Sequence, residues 1–387
     1  MAYLESKPRY EILDGLRGVA ALIVVAFHLF ETYSSGPATQ ILNHGYLAVD
    51  FFFVLSGFVI GYAYDDRWNS MSTWAFFKRR ITRLHPMVIF GALLGLALFY
   101  FGDCPMFSLI GQTPWWQAVL MFLLGCTMLP ATRSMDIRGW GETYPLNGPQ
   151  WSLMLEYCAN ILYALVIRRF KTWLLVLFVL ASALLTLDLG LSLNMFGFMG
   201  EGEWAKGTFI GGWGIEGTQL YIGIARLLYP FFCGLLLSRI GRFKGVRGGF
   251  WWCSIILALL LCAPRIGGEE GWMWNGVYET ACILLVFPLI VIIGAGSVVK
   301  GRWSSALCKF FGEISFPIYI THYPFLYMQM SWAASHQDAP LSQHIMVAIG
   351  IYALSIFTAY AALRLYDEPV RNWLKEHWLK SYKKTEK

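Results

Sequence analysis

Ten long apolar runs constrain this chain more than any other feature. They lie near 16–35, 46–65, 86–102, 151–167, 173–190, 220–238, 250–263, 277–297, 310–330 and 345–365. Most approach the roughly 20 residues that a helix needs to cross a bilayer, and 250–263 is the shortest. With 57% hydrophobic and only 14% charged residues, the chain has the profile of an all-α, polytopic integral membrane protein of about ten transmembrane helices. The basic residues orient those spans, because Lys and Arg accumulate in cytoplasmic loops. With the N-terminus inside, the inner groups are Lys7, Arg9 and Arg17; Arg67, Lys78, Arg79, Arg80 and Arg83; Arg168, Arg169 and Lys171; Arg239, Arg242, Lys244 and Arg247; Lys300, Arg302 and Lys309; and the tail from Arg364 onward. Of 30 Lys and Arg, this leaves only Arg133, Arg138, Lys206, Arg226 and Arg265 outside or buried, and it places both termini in the cytoplasm. Counting 114–130 as an eleventh span would throw the downstream inner charges outside, so that segment is expected to be re-entrant or interfacial.

Several classes of function are excluded at this stage. The net charge of +6 lies on the inner loops, reflects orientation and gives no reason to expect nucleic acid. Eight cysteines are scattered singly without metal-ligand spacing, so neither a disulfide framework nor a metal site is expected. The first apolar run is too long for a cleaved leader, and no internal repeat is visible. The reading is one domain over 1–387, with 369–387 a basic cytoplasmic tail and no separate soluble domain. Any chemistry is then expected in or at the membrane.

Within the first run, Arg17 and His28 stand eleven residues apart. At 100° per residue this is within about 20° of three full turns, so both leave one helix face, about 16.5 Å apart. Asp14 lies one turn below, and the stripe reads Asp14, Arg17, Ala21, Val24, His28. Ionisable groups inside a bilayer are costly and mark functional positions by default.

Laid out at 1.5 Å per residue, the spans also carry Asp50, Glu156, Arg226 and His322 to the depth of His28 near the outer boundary. An imidazole accepts a hydroxyl proton near neutral pH, and a carboxylate on its other nitrogen fixes the tautomer. His28 is therefore the candidate general base, with Asp50 or Glu156 as its orienter. Each partner also has a plainer reading: Asp50 or Glu156 neutralises Arg226, and His322, between Pro317 and Pro324, satisfies carbonyls freed by a bent helix. On the inner side, Arg80 and Arg83 precede Pro86, which suits the first turn of a helix. As i,i+3 neighbours they offer two planar forks to a phosphate-rich ligand, or they merely set topology. Among the outer segments 133–150, 190–219 and 265–276, the second holds eight glycines between Gly197 and Gly217 with Trp204 and Trp213. That loop suits either a sugar platform or interfacial anchoring. Gly57 and Gly61 form a small-residue pair expected to let their span pack closely on a neighbour.

At these residues the chain resembles the membrane acyltransferase-3 family. The matching stretches are Leu13-Asp14-Gly15-Leu16-Arg17-Gly18 with His28; Gly45 through Phe58, including Asp50; Arg80-x-x-Arg83-Leu84-x-Pro86; Trp151-Ser152-Leu153 with Glu156; and Phe311-Gly312-x-Ile314-Ser315 leading to His322. Together they run from Arg9 to about Pro369. The resemblance implies ten spans with both ends inside, a multi-pass protein of the bacterial cytoplasmic membrane, and essential roles for Arg17, His28, Arg80 and Arg83.

It further implies a cytoplasmic acyl-CoA donor, acetyl-CoA in the first instance, used as a substrate rather than as a permanently bound cofactor. The acceptor would be a hydroxyl of a carbohydrate such as O-antigen or exopolysaccharide. Arg80 and Arg83 would hold the nucleotide phosphates, with Arg17 and Asp14 at the channel entrance. The pantetheine arm would cross about 15 Å of hydrocarbon to His28, which acts as base or accepts the acyl group itself. Arg226, His322 and Trp151 would serve the acceptor or the oxyanion. The chain ends at Lys387 with only the basic tail, so it is expected to act without a soluble hydrolase-like partner in cis. A proton-coupled transporter of a small molecule or lipid-linked intermediate is the reading from another class, because it too uses buried carboxylates, histidines and broken helices.

Overall fold

A computed structural model describes residues 7, 9–36, 39–200, 206–241, 243–267 and 270–379. Among them every regular element is helical: α1 (Glu11–Glu31), α2 (Ala48–Tyr64), α3 (Thr73–Leu98), α4 (Trp115–Thr127), α5 (Gln150–Leu165), α6 (Thr172–Gly190), α7 (Gly217–Ile240), α8 (Gly249–Cys262), α9 (Trp272–Ala281), α10 (Phe287–Gly296), α11 (Arg302–Thr321), α12 (Tyr323–Ser335), α13 (Leu341–Ala362) and α14 (Glu368–Leu374). Among the described residues eight segments are long and apolar enough to cross a membrane: Glu11–Glu31, Gly45–Tyr64, Thr73–Gly102, Gln150–Arg169, Thr172–Gly190, Gly217–Ile240, Trp272–Gly296 and Leu341–Leu379. The chain is thus a multi-pass helical membrane protein.

Two of the ten expected runs depart from that pattern. The run 250–263 forms α8, whose 14 residues cover about 21 Å. The run 310–330 is not one helix, because α11 ends at Thr321 and α12 starts at Tyr323. Pro324 causes the break: it has no N–H to give the Ile320 carbonyl, and the Asn147 side-chain amide donates to that oxygen instead, at 2.8 Å. Segment 114–130 holds α4, 13 residues or about 20 Å, which is short of a full crossing.

The chain falls into two compact units. One comprises Met1–Arg9, Asp66–Gln150 and Phe316–Lys387; the other comprises Tyr10–Asp65 and Trp151–Ser315. In the second, α2 lies along α7. A Cβ at Gly57 would stand 1.8 Å from the Phe231 carbonyl oxygen, and one at Gly234 2.0 Å from that of Val54, so the two backbones touch where the glycines meet. The expected close partner of Gly57 and Gly61 is therefore α7, and α6 covers it further. Helix α1 packs on α8 and α10.

In the first unit α3 packs against α4, α12 and α14. Its start corrects the sequence reading, in which Pro86 opened the helix. The Ser72 hydroxyl accepts the Ala75 N–H at 3.1 Å and caps the helix there, leaving Pro86 in its interior. Proline lacks only the bond to Thr82, and the packed helix tolerates that loss. Arg80 and Arg83 consequently sit on the helix itself rather than on a loop leading to it.

Candidate active site

Helix α1 carries the Arg17–His28 stripe as the spacing predicts. Arg17 Nη1 reaches Asp14 Oδ1 at 3.3 Å, one turn below. His28 Nδ1 lies 2.6 Å from Glu31 Oε2, also one turn away. An ionised carboxylate only accepts hydrogen bonds, so this contact places a proton on Nδ1. The side chains of His28 and Glu31 remain 19% and 37% exposed, so the imidazole keeps access to a ligand while its tautomer is held. Depth in the bilayer points to carboxylates on other spans, whereas the signal for Glu31 is its local i,i+3 spacing from His28.

The position of α1 comes from its glycines. A Cβ at Gly18 would stand 2.3 Å from the Phe311 carbonyl oxygen, and one at Gly312 2.8 Å from Asp14 Cβ. The Asp14-Gly15-Leu16-Arg17-Gly18 and Phe311-Gly312 motifs, almost 300 residues apart, thus meet backbone to backbone.

Asp50 and Arg226 are paired with each other, the plainer of the two readings open to Asp50. Arg226 Nε donates to both Asp50 oxygens at 3.2 Å, and Nη2 donates to Oδ2 at 2.7 Å. Nη2 also reaches the Tyr46 carbonyl at 2.7 Å, and Nη1 the Gly211 carbonyl at 2.9 Å. The guanidinium lies 5.3 Å from the centre of the Trp151 ring. With side chains 1% and 0% exposed, the pair is closed to water, and most of the arginine's donors are spent on protein acceptors. Asp50 is therefore taken up by Arg226 rather than by His28. Glu156 accepts the Ser56 hydroxyl at 2.6 Å, a contact that joins the Trp151-to-Glu156 and Ser56-Gly57 motifs.

A second buried carboxylate was not anticipated. Glu279, on α9, accepts Tyr46 Oη at 2.6 Å, the Phe209 N–H at 2.7 Å, Arg265 Nη2 at 2.9 Å and the Thr208 hydroxyl at 3.3 Å. Its donors come from segments far apart in sequence, so no periodicity exposes it. Together Glu279 and Arg226 tie residues 208–211 of the glycine-rich segment to the helices. Of the two tryptophans read there, Trp204 lies outside the described residues. His44 Nδ1 donates to the Ala263 carbonyl at 2.8 Å, and burial beside Arg265 pushes this imidazole down to about 4, so it is neutral at pH 7.

The remaining candidates belong to the other unit. Arg80 is buried and Arg83, one turn on, is exposed. His322 is fully buried, with Nδ1 donating to the carbonyls of Ile318 at 3.0 Å and Tyr319 at 2.8 Å. Both carbonyls lie in the last turn of α11, and the Ile318 oxygen also accepts the His322 N–H at 3.1 Å, whereas the Ile320 oxygen that Pro324 frees is met by Asn147. Among the described residues no three His, Cys, Asp or Glu side chains are grouped to hold a metal ion.

The Acyl_transf_3 family model, an acyltransferase domain, matches residues 10–364. The chain belongs to the acyltransferase-3 family. Its relatives include two proteins described as O-acetyltransferases. OatA of Staphylococcus aureus is 22% identical over 94% of this chain, and peptidoglycan O-acetyltransferase OatA of Listeria monocytogenes is 22% identical over 93%. The chain spans a little over half the length of these two, 58% and 55% respectively. A further relative, "Protein 2 in picA locus" of Rhizobium radiobacter, is 33% identical over 40% of the chain and 81% of its own length. No solved structure matches.

Proposed function

We propose that this acyltransferase-3 protein moves an acyl group, acetyl in particular, from acyl-CoA to a hydroxyl of a cell-envelope carbohydrate at the bacterial cytoplasmic membrane. The His28–Glu31 pair on α1 carries this reading, since it presents a tautomerically fixed imidazole on the same face as Arg17. The relatives named as O-acetyltransferases support the acetyl group, and the Listeria protein's name supports a glycan acceptor.

In the proposed step the acceptor oxygen attacks the thioester carbon while His28 Nε2 takes the hydroxyl proton. The tetrahedral intermediate collapses, the C–S bond breaks, and the imidazolium returns its proton to the thiolate, giving the ester and free CoA. Glu31 keeps Nδ1–H in place and offsets the positive charge that forms on the ring. Arg80 and Arg83 hold the donor's phosphates as planar forks, and Arg17, steadied by Asp14, lies on the face of α1 that carries His28. Arg226 and Trp151, locked with Asp50, shape the wall against which an acceptor is positioned, and His322 keeps the α11–α12 break in shape.

The test is transfer of labelled acetyl from acetyl-CoA in proteoliposomes supplied with envelope glycan. Wild type is expected to label the glycan and His28→Ala not to do so. Unimpaired transfer by His28→Ala would remove the base assignment. Movement of a solute across the membrane without any acyl transfer would favour the transporter instead.

A further inference from the structure

Two helices of the first unit are longer than a bilayer requires. The segment Leu341–Leu379 has 39 residues, about 58 Å, and Thr73–Gly102 has 30, about 45 Å, against roughly 30 Å of hydrocarbon. Their charge-bearing ends pack together, α3 lying against α14 and against the π-helical turns at Leu363–Asp367 and Lys375–Leu379 that flank it.

The contacts at this end are specific. The Trp74 and Trp378 rings meet edge to face with centroids 6.4 Å apart, and Lys78 Nζ stands 5.7 Å and 5.3 Å from their centres. Asp367, 2% exposed, binds Arg371 Nη2 through Oδ2 at 2.7 Å. Arg83 from α3 lies within electrostatic reach of both Asp367 and Lys375, as does Arg371, and Arg9 also acts on Lys375. Glu368, the other acid near Asp367, is paired with Arg364 at 2.5 Å. One buried carboxylate is therefore set among Arg83, Arg371 and Lys375, with Arg9 acting on Lys375, a clear excess of positive charge. Among the described residues the buried Arg371 Nε has no hydrogen-bond partner, and Lys375 is exposed with Nζ 3.2 Å from Asn372 Oδ1.

We propose that Arg371 and Lys375 join Arg83 in a polyphosphate-binding site whose second wall is the C-terminal helix, and that its ligand is the nucleotide end of the acyl-CoA donor. This rests on the reading of the protein as an acyl-CoA-dependent transferase. Asp367 holds Arg371 in position, so that its remaining N–H groups face a ligand at no further ordering cost. An ordinary topological cluster needs neither a buried counter-charge nor packing between two projecting helices.

The experiment is titration of the purified full-length protein in lipid-free detergent with acetyl-CoA and with its analogue lacking the 3′-phosphate, at two salt concentrations. Lys375→Gln removes an exposed charge that holds no ion pair among the described residues, and Arg371→Lys keeps the bond to Asp367 while losing the fork. Each is expected to raise the Kd for acetyl-CoA roughly tenfold, to flatten its salt dependence, and to leave kcat at saturating donor within about twofold. The analogue should discriminate between wild type and variants less than acetyl-CoA does. Unchanged Kd in both variants, while Arg80→Ala with Arg83→Ala abolishes binding, overturns this inference and leaves the donor reading intact. Absence of acetyl-CoA binding to wild type overturns the donor reading and this inference with it. Should the variants alter only retention of anionic lipid in nanodiscs, the cluster is a lipid site and the proposal fails.

Discussion

Within one unit, two acid–base pairs of similar chemistry are put to opposite uses. His28–Glu31 and Asp50–Arg226 both close with hydrogen bonds under 3 Å, yet the first leaves about a fifth of the imidazole exposed and the second leaves almost nothing. The buried pair is further saturated by the Tyr46 and Gly211 carbonyls, so its charge is consumed in holding backbone. The accessible pair keeps part of its ring open to a ligand. A fully ringed pair acts as a strut, and breaking it leaves an uncompensated charge.

The contrast is broken most strongly at His28. His28→Ala should lower acetyl transfer by about 10³-fold, within the range for loss of a general base, while leaving the thermal midpoint within a degree or two. A comparable fall in the midpoint would make His28 structural instead. Asp50→Ala should do the reverse, destabilising the protein by about 3–5 kcal/mol in thermal unfolding because Arg226 stays buried without its partner. Replacing both with apolar residues should recover much of that loss, and failure to recover would assign Asp50 a chemical role.

Glu31→Gln is the finer cut. The amide can accept the Nδ1 hydrogen bond but brings no charge to balance the imidazolium, so transfer should fall about 10- to 100-fold with little change in stability. An unaffected rate would show that Glu31 does not act through His28. The smallest effect concerns His44. Its pKa of about 4 in the folded state lies below the unfolded value of about 6.5. The unfolded chain therefore binds the extra proton first, and stability is full above about pH 6.5 and declines toward pH 4, by about 1–3 kcal/mol. His44→Gln should flatten that part of the stability profile, and an unchanged profile would place the titration elsewhere.

How much of this was legible depended on the range of each interaction. Hydropathy located the long spans, helical periodicity put Arg17 and His28 on one face, and the spacing of Gly57 and Gly61 announced a close contact. Hydropathy misplaced the start of α3 because the charged first turns from Thr73 to Arg83 are not apolar; the signal there was Ser72 as a cap. Glu31 is readable one turn from His28 by helical spacing, whereas depth in the bilayer points to carboxylates on other spans. Glu279 had no such signal, since Tyr46, Phe209 and Arg265 come together only through the fold.

The contact of Gly18 with the Phe311 backbone bears on how far the face that carries His28 can wander. With room for nothing larger than hydrogen at that crossing, α1 has neither the freedom to roll nor to slide past its neighbour by a residue, a slip that would swing the imidazole through about 100°. The azimuth of His28 is thus fixed some ten residues away from the ring, and a single methyl group added there would act as a misaligned gear tooth.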